Sequence, residues 1–292
     1  MTQIGAIKCL DGIVLFADRQ ETIPDYAKWD VGKIYLWELQ DHFRFAMTGA
    51  GDSDIIEMVW EQVTDECKNK QLSEIKETIV RKIHSITKTS ILPMPMRERP
   101  YVDLIWVIQP ISSQAISEMM RGPELFRTTR FAVNGIDRHY FSGSAALLNR
   151  FLADQFLENT IIGLDEAEAL ATYVLWESSQ YDPNVGKHSD VFTFKRDGKI
   201  GRLSVSDIEY WERHWRLFKE SLRLLPILSC ATGVTEQIYK REDHLHRLRT
   251  TVETLNTEQK KMREEHKIAR SELEEKLFQN LREVAMKYIA KP

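Results

Sequence analysis

Two short β-rich runs, "TQIGAIKC" and "GIVLFAD", open the sequence and are split only by Leu10-Asp11-Gly12. Asp-Gly between apolar runs is a strong hairpin signal, because both residues tolerate the positive φ that a tight turn demands. A buried hairpin this early leaves no loose end at the start of the chain. The terminus itself then reads as the working part.

The rest of the first two-thirds repeats the theme. "KIYLWEL" and "FRFAMTG" form a second strand pair around Gln40-Asp41-His42. Two helices follow. Ile55, Ile56, Val59, Trp60 and Val63 recur at helical spacing behind a cap at Asp52 or Ser53, and Ile75, Ile79, Ile83 and Ile86 behind a cap at Ser73. Three prolines within "ILPMPMRERP" make it a loop. "YVDLIWVIQP" is a buried strand, "QAISEMM" and "RHYFSG" are weaker ones, and "SAALLNRFLADQFL" and "LDEAEALATYVLWESSQY" are amphipathic helices. "SDVFTFKRDGKIGRLS" closes the region as a hairpin around Arg196-Asp197-Gly198-Lys199. Strands, two helices, strands, two helices, strands: this order predicts an α+β chain built as a four-layer αββα sandwich over residues 1–205.

From Ser206 onward the pattern is helical. Ile208, Trp211, Trp215, Phe218, Leu222 and Leu225 form one stripe, read as docking on the body or on a partner. Ile238, Leu245, Leu248, Val252, Leu255 and Met262 recur at alternating three and four spacing. Residues 206–292 are therefore expected to be a helical extension. Its end is either an imperfect coiled coil or helical hairpin, or a solvated helix folded back on the body.

Composition excludes several classes. A net charge of −4 and a pI near 6.1 offer no overall positive field to nucleic acid or an anionic membrane. Cys9, Cys67 and Cys230 are odd in number and lack C-x-x-C spacing, which speaks against a disulfide framework or zinc site. His84 and His188 have no metal-ligand spacing, and neither a metal nor a cofactor is called for. No leader precedes the hairpin, and no apolar run approaches the ~20 residues that span a bilayer. The expectation is a cytoplasmic protein.

The chemistry centres on Thr2. Methionine is trimmed when a small residue follows, which leaves Thr2 with a free amine whose ordinary pKa is about 7.7–8.0. Nucleophile and base then belong to one residue. A threonine in second place is uninformative on its own; the motifs around it carry the reading. "TQIGAIKCLDGIVLFAD" resembles the start of mature proteasome β subunits and bacterial proteasome-like peptidases, which are N-terminal-nucleophile hydrolases. The resemblance extends over residues 2–205. It implies that Thr2 is the nucleophile, Asp18 a structural acid, and Lys33, in "DVGKIYLWE", the catalytic lysine. Gly49 in "FAMTGAGDSD" would supply the oxyanion amide, while Ser142 in "YFSGSAALLNRFL" and Asp182 in "SSQYDPNVGKHSDVF" would orient the amine. Met47 would face the substrate side chain on the acyl side. The resemblance also implies the αββα sandwich and a homo-oligomer, with a ring as one form.

Four departures stand out. Val185 occupies a position where the family often has serine, and Phe141 one where glycine is usual. The Asp18–Lys33 spacing is one residue short, and Gln20 follows Arg19 where arginine is common. Three functions follow. The first is a threonine peptidase acting on peptides or unfolded proteins. The second is a transpeptidase or ligase using the same acyl-enzyme. The third is a non-catalytic scaffold or adaptor subunit acting through its C-terminal helices. No Walker pattern occurs, so energy-dependent unfolding would need a separate ATPase or adaptor.

Overall fold

The computed structural model describes residues 2–22, 28–39, 43–68, 70, 72–111, 122–129, 132–157 and 161–230. Contacts divide the chain into two units, Met1–Trp215 and Arg216–Pro292. The first holds twelve strands among the described residues: β1 (Gln3–Lys8), β2 (Gly12–Asp18), β3 (Gln20–Thr22), β4 (Lys28–Asp30), β5 (Ile34–Leu39), β6 (Phe43–Gly51), β7 (Val102–Pro110), β8 (Glu124–Thr128), β9 (Val133–Gly135), β10 (His139–Gly143), β11 (Ser189–Lys195) and β12 (Ile200–Arg202). Five α-helices accompany them: α1 (Ser53–Cys67), α2 (Leu72–Ile86), α3 (Ala146–Leu157), α4 (Leu164–Tyr181) and α5 (Val205–Cys230). The last of these runs into the second unit, of which residues 216–230 are described, all within this helix.

Two five-stranded antiparallel sheets dominate, ordered β10-β1-β2-β11-β12 and β5-β6-β7-β8-β9, beside a two-stranded β3-β4 ribbon. Every residue of β2 and of β7 is buried, the pattern of central strands covered on both faces. The opening hairpin is present, with Ile4 opposite Ala17 and Lys8 opposite Ile13.

Buried side chains fall into three cores. Ile4, Ala6, Leu15 and Ala17 of the first sheet meet Ala46, Ala50, Ile105 and Val107 of the second. Four alanines in that set keep the layer thin. On the far face of the second sheet, Phe45, Met47 and Trp106 pack with Ile56 and Val59 of α1 and Ile75 and Ile79 of α2. On the far face of the first, Ile7, Val14 and Phe16 pack with Leu152 of α3 and Leu170, Val174 and Leu175 of α4. Alternation along β1 and β2 sends odd residues of β2 and even residues of β1 between the sheets, and the others to the helices.

Local chemistry sets the helix ends. Asp52 accepts from Ile55 N–H at 3.1 Å and so caps α1, which settles the choice between Asp52 and Ser53. α2 begins at Leu72, so Ser73 lies inside the helix and is not its cap. A π-helical turn over Thr87–Ile91 follows α2 before the proline loop. Glu166 accepts from Gly163 N–H at 2.8 Å at the start of α4. At α5, Ser204 N–H donates to Asp207 at 3.0 Å while Asp207 N–H donates to Ser204 Oγ at 3.2 Å, a reciprocal cap. Trp215 then donates its indole N–H to the Ala169 carbonyl at 3.0 Å and packs on Tyr173 with ring centroids 4.6 Å apart. The strand expected at "QAISEMM", the turn at 40–42 and the coiled-coil segment at 236–292 lie outside the described residues. Among the described residues, no helix is long and apolar enough to cross a membrane.

Candidate active site

Asp18, at the end of β2, is fully buried. Its Oδ1 accepts from Gln3 N–H at 2.7 Å and from the Lys33 ammonium at 3.2 Å. Its Oδ2 accepts from Gly186 N–H at 3.0 Å and Gln20 N–H at 3.2 Å. Four donors on one carboxylate balance the cost of burying its charge. Gly186 comes close enough only because it lacks a side chain: a Cβ there would sit 2.5 Å from Cβ of Gln20. Lys33, just before β5, also donates to the Gln20 carbonyl and is 12% exposed.

Thr2 is half-buried and immediately precedes β1. The β1–β10 register sets Gln3 opposite Gly143 and Ile4 opposite Ser142. Gly143 has φ +107°, and a Cβ there would lie 1.7 Å from the Thr2 carbonyl oxygen. The peptide linking Thr2 to Gln3 is thus held at both ends. Gly143 lies against its carbonyl, and Asp18 takes its N–H.

Gly49 is brought beside this group by register. β5 pairs with β6 from Ile34 opposite Thr48, so Lys33 and Gly49 are the next positions outward. Beyond Thr48, β6 continues to Gly51 with β7 along one edge and no further β5 pairing along the other. Glycine at 49 has a packing cause: a Cβ would come within 2.8 Å of Leu104 and 2.9 Å of Ile56.

Asp182 ends α4, accepting from Asn184 N–H at 2.9 Å and Asn184 Nδ2 at 3.0 Å. Burial pushes its carboxyl up, but hydrogen bonds from Ser144 and Asn184 and the amino-terminal charge outweigh it and hold the group below its usual range. Gly186, which donates to Asp18, follows four residues on. Val185 is buried.

Met47 does not take the substrate-facing place expected for it. It is completely buried in the core against α1 and α2, because β6 turns Phe43, Phe45 and Met47 to the helices and Ala46 and Ala50 between the sheets. It cannot face a substrate.

Ser142 leads to residues the sequence reading missed. Its Oγ lies 3.0 Å from the Tyr101 hydroxyl, which donates to Asp103 Oδ2 at 3.1 Å. Tyr140 donates to the same oxygen at 2.5 Å, with the Arg127 guanidinium 4.5 Å from its ring centre. Burial, seconded by Asp103, pushes the Tyr140 phenol up to about 12. Burial and Asp103 also raise Tyr101, against a hydrogen bond from Ser142. The signal was a lone acid in the apolar run "YVDLIWVIQP". Among the described residues no three His, Cys, Asp or Glu side chains gather as a metal site requires.

The fold is an α+β one with two antiparallel five-stranded sheets, and solved structures share it. An Anbu protein from Hyphomicrobium sp. strain MC1, a Gly-1 mutant, matches 77% of this chain and 96% of its own at 15% identity and a TM-score of 0.62. Anbu from Yersinia bercovieri, described as an ancestral beta-subunit, matches 80% and 99% at 13% identity and a TM-score of 0.63. The Pseudomonas aeruginosa Anbu complex, solved as a helical assembly, matches 80% and 98% at 12% identity and a TM-score of 0.60. At these identities the likeness carries the fold. No family model matches the chain, and no curated protein does.

These neighbours correct the motif-based resemblance to proteasome β subunits and proteasome-like peptidases: all three are Anbu proteins. The reason is physical. Gly49 and Gly143 answer to packing, as does Gly12, where a Cβ would sit 2.4 Å from the Phe194 carbonyl oxygen. Glycines with such causes follow from packing and do not by themselves identify a family.

Proposed function

We propose that the chain is a subunit of a self-associating, proteasome-related particle, and that Thr2 in this subunit performs acyl transfer on an amide. The Asp18 node carries the reading: one buried carboxylate holds both the Lys33 ammonium and the peptide that begins at Thr2. The three buried cores support an αββα sandwich over residues 1–205, and the helix Val205–Cys230 supports reading 206–292 as a helical extension.

In this reading Met1 is removed and the Thr2 hydroxyl attacks the substrate carbonyl. Its proton passes to the Thr2 amine, and Lys33 favours the deprotonated forms of both groups through its positive charge. The Gly49 N–H receives the developing oxyanion at the open edge of β6. Collapse expels the leaving amine, which takes the proton, and leaves an ester on Thr2. Water gives hydrolysis of a peptide or unfolded protein; a second amine gives transpeptidation. Delivery of folded substrates falls to a separate ATPase or adaptor. Cys9 and Cys67, free and buried, suit a reducing cytoplasm.

The second reading is a scaffold subunit without turnover. Val185 in place of serine favours it, as does the helical assembly of the Pseudomonas aeruginosa neighbour. Intact mass before and after a β-lactone probe, with native mass on the same sample, separates the readings. Loss of Met1, one adduct on Thr2 and none on Thr2→Ala support acyl transfer. Retained Met1 and no adduct on an oligomer leave the scaffold. A monomer under all conditions removes the particle.

A further inference from the structure

We infer that Tyr101 and Asp103 are positioning residues that fix the direction of the Ser142 hydroxyl and, through it, turn the lone pair of the Thr2 amine toward the Thr2 hydroxyl. The inference rests on the proposed role of Thr2 as nucleophile and base.

The chain of hydrogen bonds has a forced direction. An ionised carboxylate only accepts, so Asp103 Oδ2 takes protons from both Tyr101 and Tyr140. Both phenols are held above their ordinary range, so both keep their protons across the neutral pH range. Tyr101 has one hydroxyl proton, and it is donated to Asp103. The 3.0 Å contact between Tyr101 and Ser142 can then be made in one sense only: the Ser142 O–H donates and the Tyr101 oxygen accepts. Ser142 is left presenting lone pairs to its remaining neighbours.

Position decides which neighbour matters. Ser142 faces Ile4 across the β1–β10 pair, and the next residue, Gly143, lies against the Thr2 carbonyl. An amine on Thr2 that meets Ser142 meets an acceptor. It donates an N–H to Ser142 and keeps its lone pair for the proton of its own hydroxyl. With the Tyr101 hydroxyl removed, the Ser142 proton is released and competes for that lone pair. The base is blocked, and the neutral amine is stabilised.

Tyr101 and Asp103 sit on the second sheet and its approach, Ser142 and Tyr140 on the first, so the ladder crosses between them. The charged groups around it are Asp103 and Arg127 from the second sheet, Asp18 and Lys33 from the node, and Asp182 from the end of α4. Asp103 Oδ1 and the Thr48 hydroxyl are buried without partners among the described residues.

The test is the rate of β-lactone adduct formation on Thr2 against pH, by intact mass, in the full chain. Tyr101→Phe is the main variant: Tyr101 is 56% exposed, and only its hydroxyl is lost. We expect labelling to fall about tenfold on the plateau, the size of one lost hydrogen bond at a reacting group, and the acid limb to move to lower pH. Asp103→Asn should move the limb the same way. In a Ser142→Ala background, Tyr101→Phe should cost nothing more, because its effect passes through Ser142. An adduct on wild type with an unchanged rate and limb in Tyr101→Phe overturns the inference alone. So does a loss that adds fully to that of Ser142→Ala, or one without a limb shift, since either marks a structural role. No adduct on wild type overturns the nucleophile reading and the inference with it.

Discussion

Gly143→Ala should damage both stability and Thr2 reactivity. At φ +107° an L side chain is strained, and the new Cβ would be 1.7 Å from the Thr2 carbonyl oxygen. The strain costs about 1–2 kcal/mol. The clash is with backbone rather than the tip of a side chain, so β1 must lift or β10 must rotate, adding about 1–3 kcal/mol. A total near 3 kcal/mol corresponds to roughly 6–12 °C in the melting midpoint for a body of this size. Displacing Thr2 also strains the Gln3 N–H bond to Asp18, so adduct formation should fall even at temperatures where the variant is folded. The assay is a thermal melt followed by far-UV circular dichroism, with β-lactone labelling at 20 °C. A midpoint within 2 °C of wild type, with unchanged labelling, would refute the claim that Gly143 is shaped by Thr2.

Two further substitutions probe the same body. Lys33→Met leaves the buried Asp18 charge with its three N–H donors but without its cation, and should cost about 3 kcal/mol by urea unfolding while abolishing adduct formation; labelling at the wild-type rate would remove Lys33 from the chemistry. Cys9 is pushed up to about 12, first by burial and then by Asp11. Its folded value exceeds its unfolded one, so its contribution is complete below pH 9 and is lost as pH rises towards about 12, amounting to about 4 kcal/mol at most. Cys9→Ala should flatten that alkaline decline in urea midpoints; parallel curves for the two proteins would contradict it.

Much of the fold was legible because hydrophobic period is a local property. The Asp-Gly break at Asp11 and Gly12 and the isoleucines of α2 each declare their element within a dozen residues. Faces were harder. In "FRFAMTG" Phe43, Phe45 and Met47 share one face and Ala46 lies on the other, and because both faces of this strand are buried the pattern alone does not say which one meets the helices. The donors of Asp18 lie far apart in sequence, Gly186 being 168 residues away, and the motif resemblance supplied the residues without their bonds. The ladder from Ser142 to Tyr101 and Asp103 joins two sheets, and nothing short of the packed structure brings it together. Short glycine motifs answer to local packing, at Gly12, Gly49 and Gly143 alike, and so carry little about kinship.

On the role proposed for Thr2, the four bonds to Asp18 would tie its reactivity to completeness of folding. Besides Gln20 beside it, the carboxylate draws on the first strand, the approach to β5 and the loop beyond α4. A partly folded chain that lacks one of these contributors leaves the buried carboxylate short of a donor where the node should form. With Thr2 in that role, the arrangement would work as a coincidence detector: a chain still missing one contributor to the Asp18 node would not yet hold Thr2 ready to react.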